Sequence, residues 1–138
     1  MVANQEGNTN GNDNCKVGVY VCHCGTNIAG VVDVEAGAEA AGELENVGIA
    51  RHYSYMCSDP GQELIQDDIY NLGLDRVVVA SCSPLMHETT FRGACVEAGL
   101  NPFLFQMTNI REHCSWVIQD QTLATEKAIN MVSAAVRR

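Results

Sequence analysis

Short apolar runs and amphipathic stretches alternate four times along this chain, beginning at Val17. The first run, Val17 to Val21, is rich in β-branched residues and reads as a strand. A turn follows, then a helix that begins between Ile28 and Asp33 and reaches about Asn46. Its interior, V-E-A-G-A-E-A-A-G-E-L, favours helix through Ala and Glu, although Gly37 and Gly42 weaken it. The second strand is shorter in apolar content and spans Ala50 to Met56. Asp59-Pro60-Gly61-Gln62 opens the next helix, with Asp as the cap and Pro at the first helical position, and Leu64, Ile65, Ile69 and Leu72 form its apolar stripe.

The third run, R-V-V-V-A-S-C from Arg76 to Cys82, is apolar on both faces, as a strand in the middle of a parallel sheet should be. Ser83-Pro84 caps a helix carrying Met86, Phe91, Ala94 and Cys95. The fourth strand is Pro102 to Met107, and Asn109 with Glu112 three residues on resembles a capping box. The last helix runs from about Thr122 to Val136, with Ile129, Val132 and Val136 at helical spacing. Four strands separated by helices predict a small α/β domain: an open parallel sheet with right-handed crossovers and helices on both faces, Rossmann-like. Ligands of such sheets gather outside the carboxyl ends of the strands.

Residues 1–15 stand outside this rhythm. They are rich in Asn and Gly with almost nothing to bury, which predicts a disordered tail ending in an incidental exposed thiol, Cys15. The remaining residues, 16–138, make one domain long enough to bury a core without staples. A formal net charge of −9 argues against a nucleic-acid backbone or an anionic membrane as partner. No apolar run has the length of a membrane span and no signal-peptide pattern is present, so a soluble, cytoplasmic protein is expected.

Seven cysteines change the picture. Their odd number, wide spacing and the absence of a secretion signal favour a metal or redox site over a disulfide framework. Cys22 and Cys24 lie at the end of the first strand, Cys57 follows the second, Cys82 ends the third and Cys114 comes after the fourth. Five thiols from four strand-to-helix junctions are thereby expected along one edge of the sheet, while Cys95 reads as a core thiol. Cys57 and Cys82 each precede a helix cap, where free N–H groups and partial positive charge favour a thiolate or the sulfurs of an anionic cluster. No C-x-x-C is present, so neither zinc-hook nor clustered ferredoxin spacing is found. His23, His87 and His113 lie beside the same cysteines and keep zinc or mixed ligation open.

Four segments carry a resemblance: V-C-H-C-G-T-N-I-A-G-V-V-D-V, Y-M-C-S-D-P-G-Q-E-L-I, V-V-V-A-S-C-S-P-L-M-H-E-T-T-F-R and N-I-R-E-H-C-S-W-V. In this order they resemble the N-terminal domain of the A subunit of heterodisulfide reductases, flavin and iron–sulfur proteins of methanogenic archaea with relatives in other anaerobes. The resemblance runs from about Lys16 to the end. It implies a [4Fe–4S] cluster with Cys22, Cys24, Cys57, Cys82 and Cys114 as candidate ligands, one thiol more than a cubane needs. It also implies electron transfer to FAD-containing and ferredoxin-type domains or subunits of one complex. FAD is expected only in a following domain or partner, because the chain has no G-x-G-x-x-G and G-T-N-I-A-G lacks the Lys-Ser/Thr of a phosphate loop. The domain is accordingly not expected to be catalytic alone, and it is read as either a fragment or a free-standing version that docks to other subunits.

Two other functions fit the residues. One is a metal-free thiol–disulfide protein with Cys22 and Cys24 as its couple. The other is a zinc-bearing interaction module. Beside the thiols, Arg111 and Arg92 are candidates to donate to cluster sulfur or to steer a partner, Trp116 to anchor a partner or pack the last helix, and His87-Glu88 to relay a proton.

Overall fold

Residues 16–22 join a polar start to an unbroken apolar run, and in the computed structural model, which describes residues 3–6 and 15–137, this run is the centre of the sheet. All of β2 (Val17–Cys22) is buried. Period-two alternation divides it between the two faces: Val17, Val19 and Val21 enter one apolar cluster, Tyr20 and Cys22 the other. The strand β4 (Arg76–Ser81) behaves likewise, Val78 and Ala80 facing one way and Val77 and Val79 the other. A strand apolar on both faces needs cover on both. The helices α1 (Val34–Gly42) and α4 (Gln121–Arg137) supply it on one side, α2 (Asp59–Leu72) and α3 (Pro84–Glu97) on the other.

The strands β3 (Val47–Tyr53), β2, β4 and β5 (Phe105–Asn109) pair in parallel in that order, as the strand–helix rhythm predicts. A fifth strand, β1 (Ala3–Glu6), joins the outer edge of β3 antiparallel, with Ala3 opposite His52 and Glu6 opposite Ile49. This strand falls within the stretch assigned from composition to a disordered tail, of which residues 1–2 and 7–14 lie outside the described residues. Its pairing is a tertiary event that local composition does not encode. Cys15 is also not the exposed thiol expected: it is half-buried against the cluster under α1 and α4.

The second strand runs Val47–Tyr53 where Ala50 to Met56 was expected, and it carries Arg51 half-buried and His52 buried. Arg51 Nε and Nη2 grip both oxygens of Asp68 on α2 at 2.7 and 2.8 Å, and Tyr20 Oη donates to the same carboxylate at 2.7 Å. Burial and the Asp68 carboxylate hold the Tyr20 phenol well above its ordinary pKa, so it remains a neutral donor. This closed triad ties α2 across β2 and β3. Ser58 caps α2 in place of the expected Asp59, its Oγ accepting from Gly61 N–H at 3.3 Å. Ser83 caps α3 as expected. Among the described residues no helix is long and apolar enough to cross a membrane.

The chain leaves β2 for β3 on one side and returns across it to β4 on the other. The carboxyl ends of β2 and β4 therefore flank the point where strand order reverses, the place where open α/β sheets bind their ligands.

Candidate functional site

Beyond Cys22 the chain cannot continue as a strand, because Cys24 and Gly25 both take left-handed backbone, at φ 50° and 61°. For Gly25 this is unstrained, but for Cys24 it costs about 1–3 kcal/mol that the surroundings must offset. The turn folds the amide of Cys24 back onto Cys22 Sγ at 3.2 Å, and the amide of Met56 reaches the same sulfur at 3.4 Å. The Cys22 thiol donates in turn toward Ser54 C=O at 3.8 Å. One buried sulfur thus pins together the loops after β2 and β3.

Cys57 stands immediately before the cap of α2, and Cys82 between the last residue of β4 and the cap of α3. Together with Cys22 and Cys24 they line one cavity, walled further by Tyr55, Ser81, His87, Phe91 and Arg111. The space open to the centre of a water-sized sphere is about 40 Å³. One water needs roughly 10–15 Å³ on the same measure. Ser81 Oγ, buried beside the cavity, lies close enough to Cys82 to oppose the rise of its thiol.

The electrostatics differ from the expectation of helix-stabilised thiolates. Burial pushes the Cys22 thiol up to about 11, with the amides of Met56 and Cys24 opposing it. Burial also raises Cys57 and Cys82, the latter against the pull of the Arg111 guanidinium. Desolvation is the largest influence on all three. A buried thiol raised so far is a poor nucleophile, which counts against Cys22 as half of a thiol–disulfide couple. It suits a sulfur that loses its proton only to a metal.

The fifth thiol goes elsewhere. Asn109 Oδ1 accepts the amides of Arg111 and Glu112 at 3.1 and 3.0 Å, but the turn it opens is π-helical, Arg111–Ser115. That turn aims Arg111 at the cavity and Cys114 away from it. Cys114 Sγ contacts Ala124 C=O at 3.1 Å, fully buried among the residues under α1 and α4. Cys95 is a core thiol between α2 and α3, as expected, and burial pushes it up to about 12. Among the described residues no three Cys, His, Asp or Glu side chains are grouped to hold a single metal ion. The four thiols line one cavity without forming such a group.

The histidines separate in the same way. His87 lines the cavity with its ring edge toward Phe91, whereas His113 is exposed. His23 Nε2 and His52 Nδ1 lie 2.7 Å apart, one bridging proton between them, with the rings stacked. Burial first, and for His23 then the neighbouring ring, lowers both from the ordinary value of 6.5. A histidine lowered in the folded state contributes stability that is complete above 6.5 and is lost as pH falls through the lowered value. The urea midpoint of the metal-free domain should therefore fall between pH 7 and 5.5. His52→Gln should flatten that fall; an equally steep one in the variant removes the pair as its source.

No family model matches the chain. In class, then, this is a parallel α/β domain with a thiol-lined cavity at the reversal of its strand order. Its relatives are specific. Over 124 residues, 89% of the chain, it is 62% identical to an iron–sulfur A subunit of the CoB–CoM heterodisulfide reductase of Methanopyrus kandleri. It is 61% identical over the same length to the A subunit of the H2:CoB-CoM heterodisulfide, ferredoxin reductase of Methanothermobacter marburgensis. Identity to the A subunit of the ferredoxin:CoB-CoM heterodisulfide reductase of Methanosarcina mazei is 54%. The chain spans 16–19% of the length of these relatives. It is homologous to one domain-sized segment of heterodisulfide reductase A subunits.

Proposed function

We propose that this domain seats a [4Fe–4S] cluster in the cavity between β2, β3 and β4 and carries electrons within a heterodisulfide-reductase-type complex, exchanging them with FAD-containing and ferredoxin-type domains. The observation that carries this reading is the convergence of Cys22, Cys24, Cys57 and Cys82 on one cavity at the strand-order reversal. When bound, the cluster supplies a one-electron redox couple. The chain's own residues hold and shield it. Four thiols from three separate loops offer soft ligands, the amides of Cys24 and Met56 point at Cys22 Sγ, and Phe91 and Tyr55 restrict water. Ser81 Oγ offers a further donor beside Cys82.

The names of the relatives, several of which are called iron–sulfur subunits, support the same class of cofactor. Cys114, the fifth thiol carried over by resemblance, stands outside the proposed ligand set because its sulfur lies under α4.

Anaerobic purification should give roughly four irons and four sulfides per chain, as the cubane formula requires. Reduction should produce an electron paramagnetic resonance signal. Cys57→Ser and Cys82→Ser should abolish it, and Cys114→Ser should retain it. A full signal in both of the first two sinks the assignment. Loss in Cys114→Ser in a folded protein redraws the ligand set, and zinc without iron or sulfide favours an interaction module instead.

A further inference from the structure

The turn after β5 buries a cation against the thiol set. Arg111 Nη1 donates to Cys24 Sγ at 3.3 Å. Its Nε donates to Glu112 Oε1 at 2.9 Å, and its Cζ lies 4.5 Å from the ring centroid of Trp116. The side chain is 13% exposed, so three contacts hold the guanidinium plane with little room to move. No other Arg or Lys lines the cavity among the described residues.

We infer that Arg111 is the positioning and potential-setting residue of this cavity: its clamped guanidinium fixes Cys24 Sγ and raises the reduction potential of the thiolate-bound group seated there. The second half of the inference rests on the cluster reading. Uptake of one electron from an external donor adds one negative charge and breaks no bond. A fixed cation in contact with a ligand sulfur stabilises the more negative, reduced state over the oxidised one. Glu112 is the opposing charge, but it binds the Nε edge, leaving Nη1 to face the sulfur. Arginine suits this role because its planar fork makes the carboxylate, the stacking and the sulfur contacts at once, which a lysine ammonium cannot.

Two measurements test it. In metal-free protein, Cys24 is alkylated with anionic iodoacetate and with neutral iodoacetamide at one pH, and the rates are compared by mass spectrometry. The ratio cancels the fraction of thiolate and reads only the local field. Arg111→Gln should lower that ratio several-fold, and Arg111→Lys should restore part of it. In iron-loaded protein, Arg111→Gln should weaken reduction on the order of tenfold, about 59 mV for one electron, with iron and sulfide unchanged. An unchanged ratio overturns the inference whether or not the protein binds iron. An unchanged potential at full iron content overturns its second half. If no variant binds iron and sulfide, the cluster reading falls and takes the claim on potential with it, while the alkylation ratio still decides the rest.

Discussion

Asp68→Ala should cost about 3–5 kcal/mol of stability. Asp68 is 4% exposed and, among the described residues, is the only acceptor drawn on by Arg51 and by Tyr20 Oη. Removing it leaves a half-buried guanidinium without a counter-charge and a fully buried phenol without an acceptor, the latter alone worth roughly 1–3 kcal/mol. The loss is a desolvation penalty rather than the worth of an ion pair. Removing both charges in Arg51→Met/Asp68→Leu should therefore destabilise less than Asp68→Ala alone, since the orphaned Tyr20 is common to both. Urea unfolding of the two variants decides it. A double variant as unstable as the single one would show that the pair's attraction, not the stranded charge, is what the fold depends on.

The same triad explains how much of the fold was legible. Strands apolar on both faces, such as Val77 to Ala80, announce themselves because every residue of the run needs burial whatever its neighbours do. β3 was legible only in part: a strand was expected at Ala50 to Met56 and runs Val47–Tyr53, and the partners of its Arg51 and His52, Asp68 and His23, lie on other elements. β1 was hidden too: its pairing is set by the edge of β3 that it joins, not by a pattern within Ala3–Glu6. Cys57 and Cys82 were readable because a cap follows each directly, so their place at the carboxyl edge depends on local chain geometry only. Cys114 was not. Asn109 with Glu112 reads as the start of an ordinary helix, and the wider π-helical turn changes which residue faces the cavity. Arg111 points in where a thiol was expected. Sequence spacing counts residues along a turn but does not reveal how wide that turn is.

Gly61→Ala should loosen the cavity from outside it. Intrinsic helix propensity says the opposite, since replacing a helical glycine by alanine ordinarily gains about 1 kcal/mol. Gly61 is the third residue of α2, and a Cβ built there stands 2.3 Å from Met56 O and 2.6 Å from Met56 C and Cα. All three are backbone atoms, so no side chain can swing aside, and the loop itself must move. That overpacking costs roughly 1–3 kcal/mol and outweighs the propensity gain. Met56 is buried, gives its amide to Cys22 Sγ, and precedes Cys57, so displacing it disturbs two of the four cavity thiols at once. Gly93 in α3 provides the contrast. It is exposed, and a Cβ there meets nothing within 4 Å, so Gly93→Ala should stabilise by roughly 0.5–1 kcal/mol. Gly61→Ala should thus lower both the urea midpoint and the iron retained after anaerobic purification, while Gly93→Ala raises the first and leaves the second alone. If the two variants shift stability in the same direction, the contact of α2 with the Met56 backbone is not what sets the Cys57 loop.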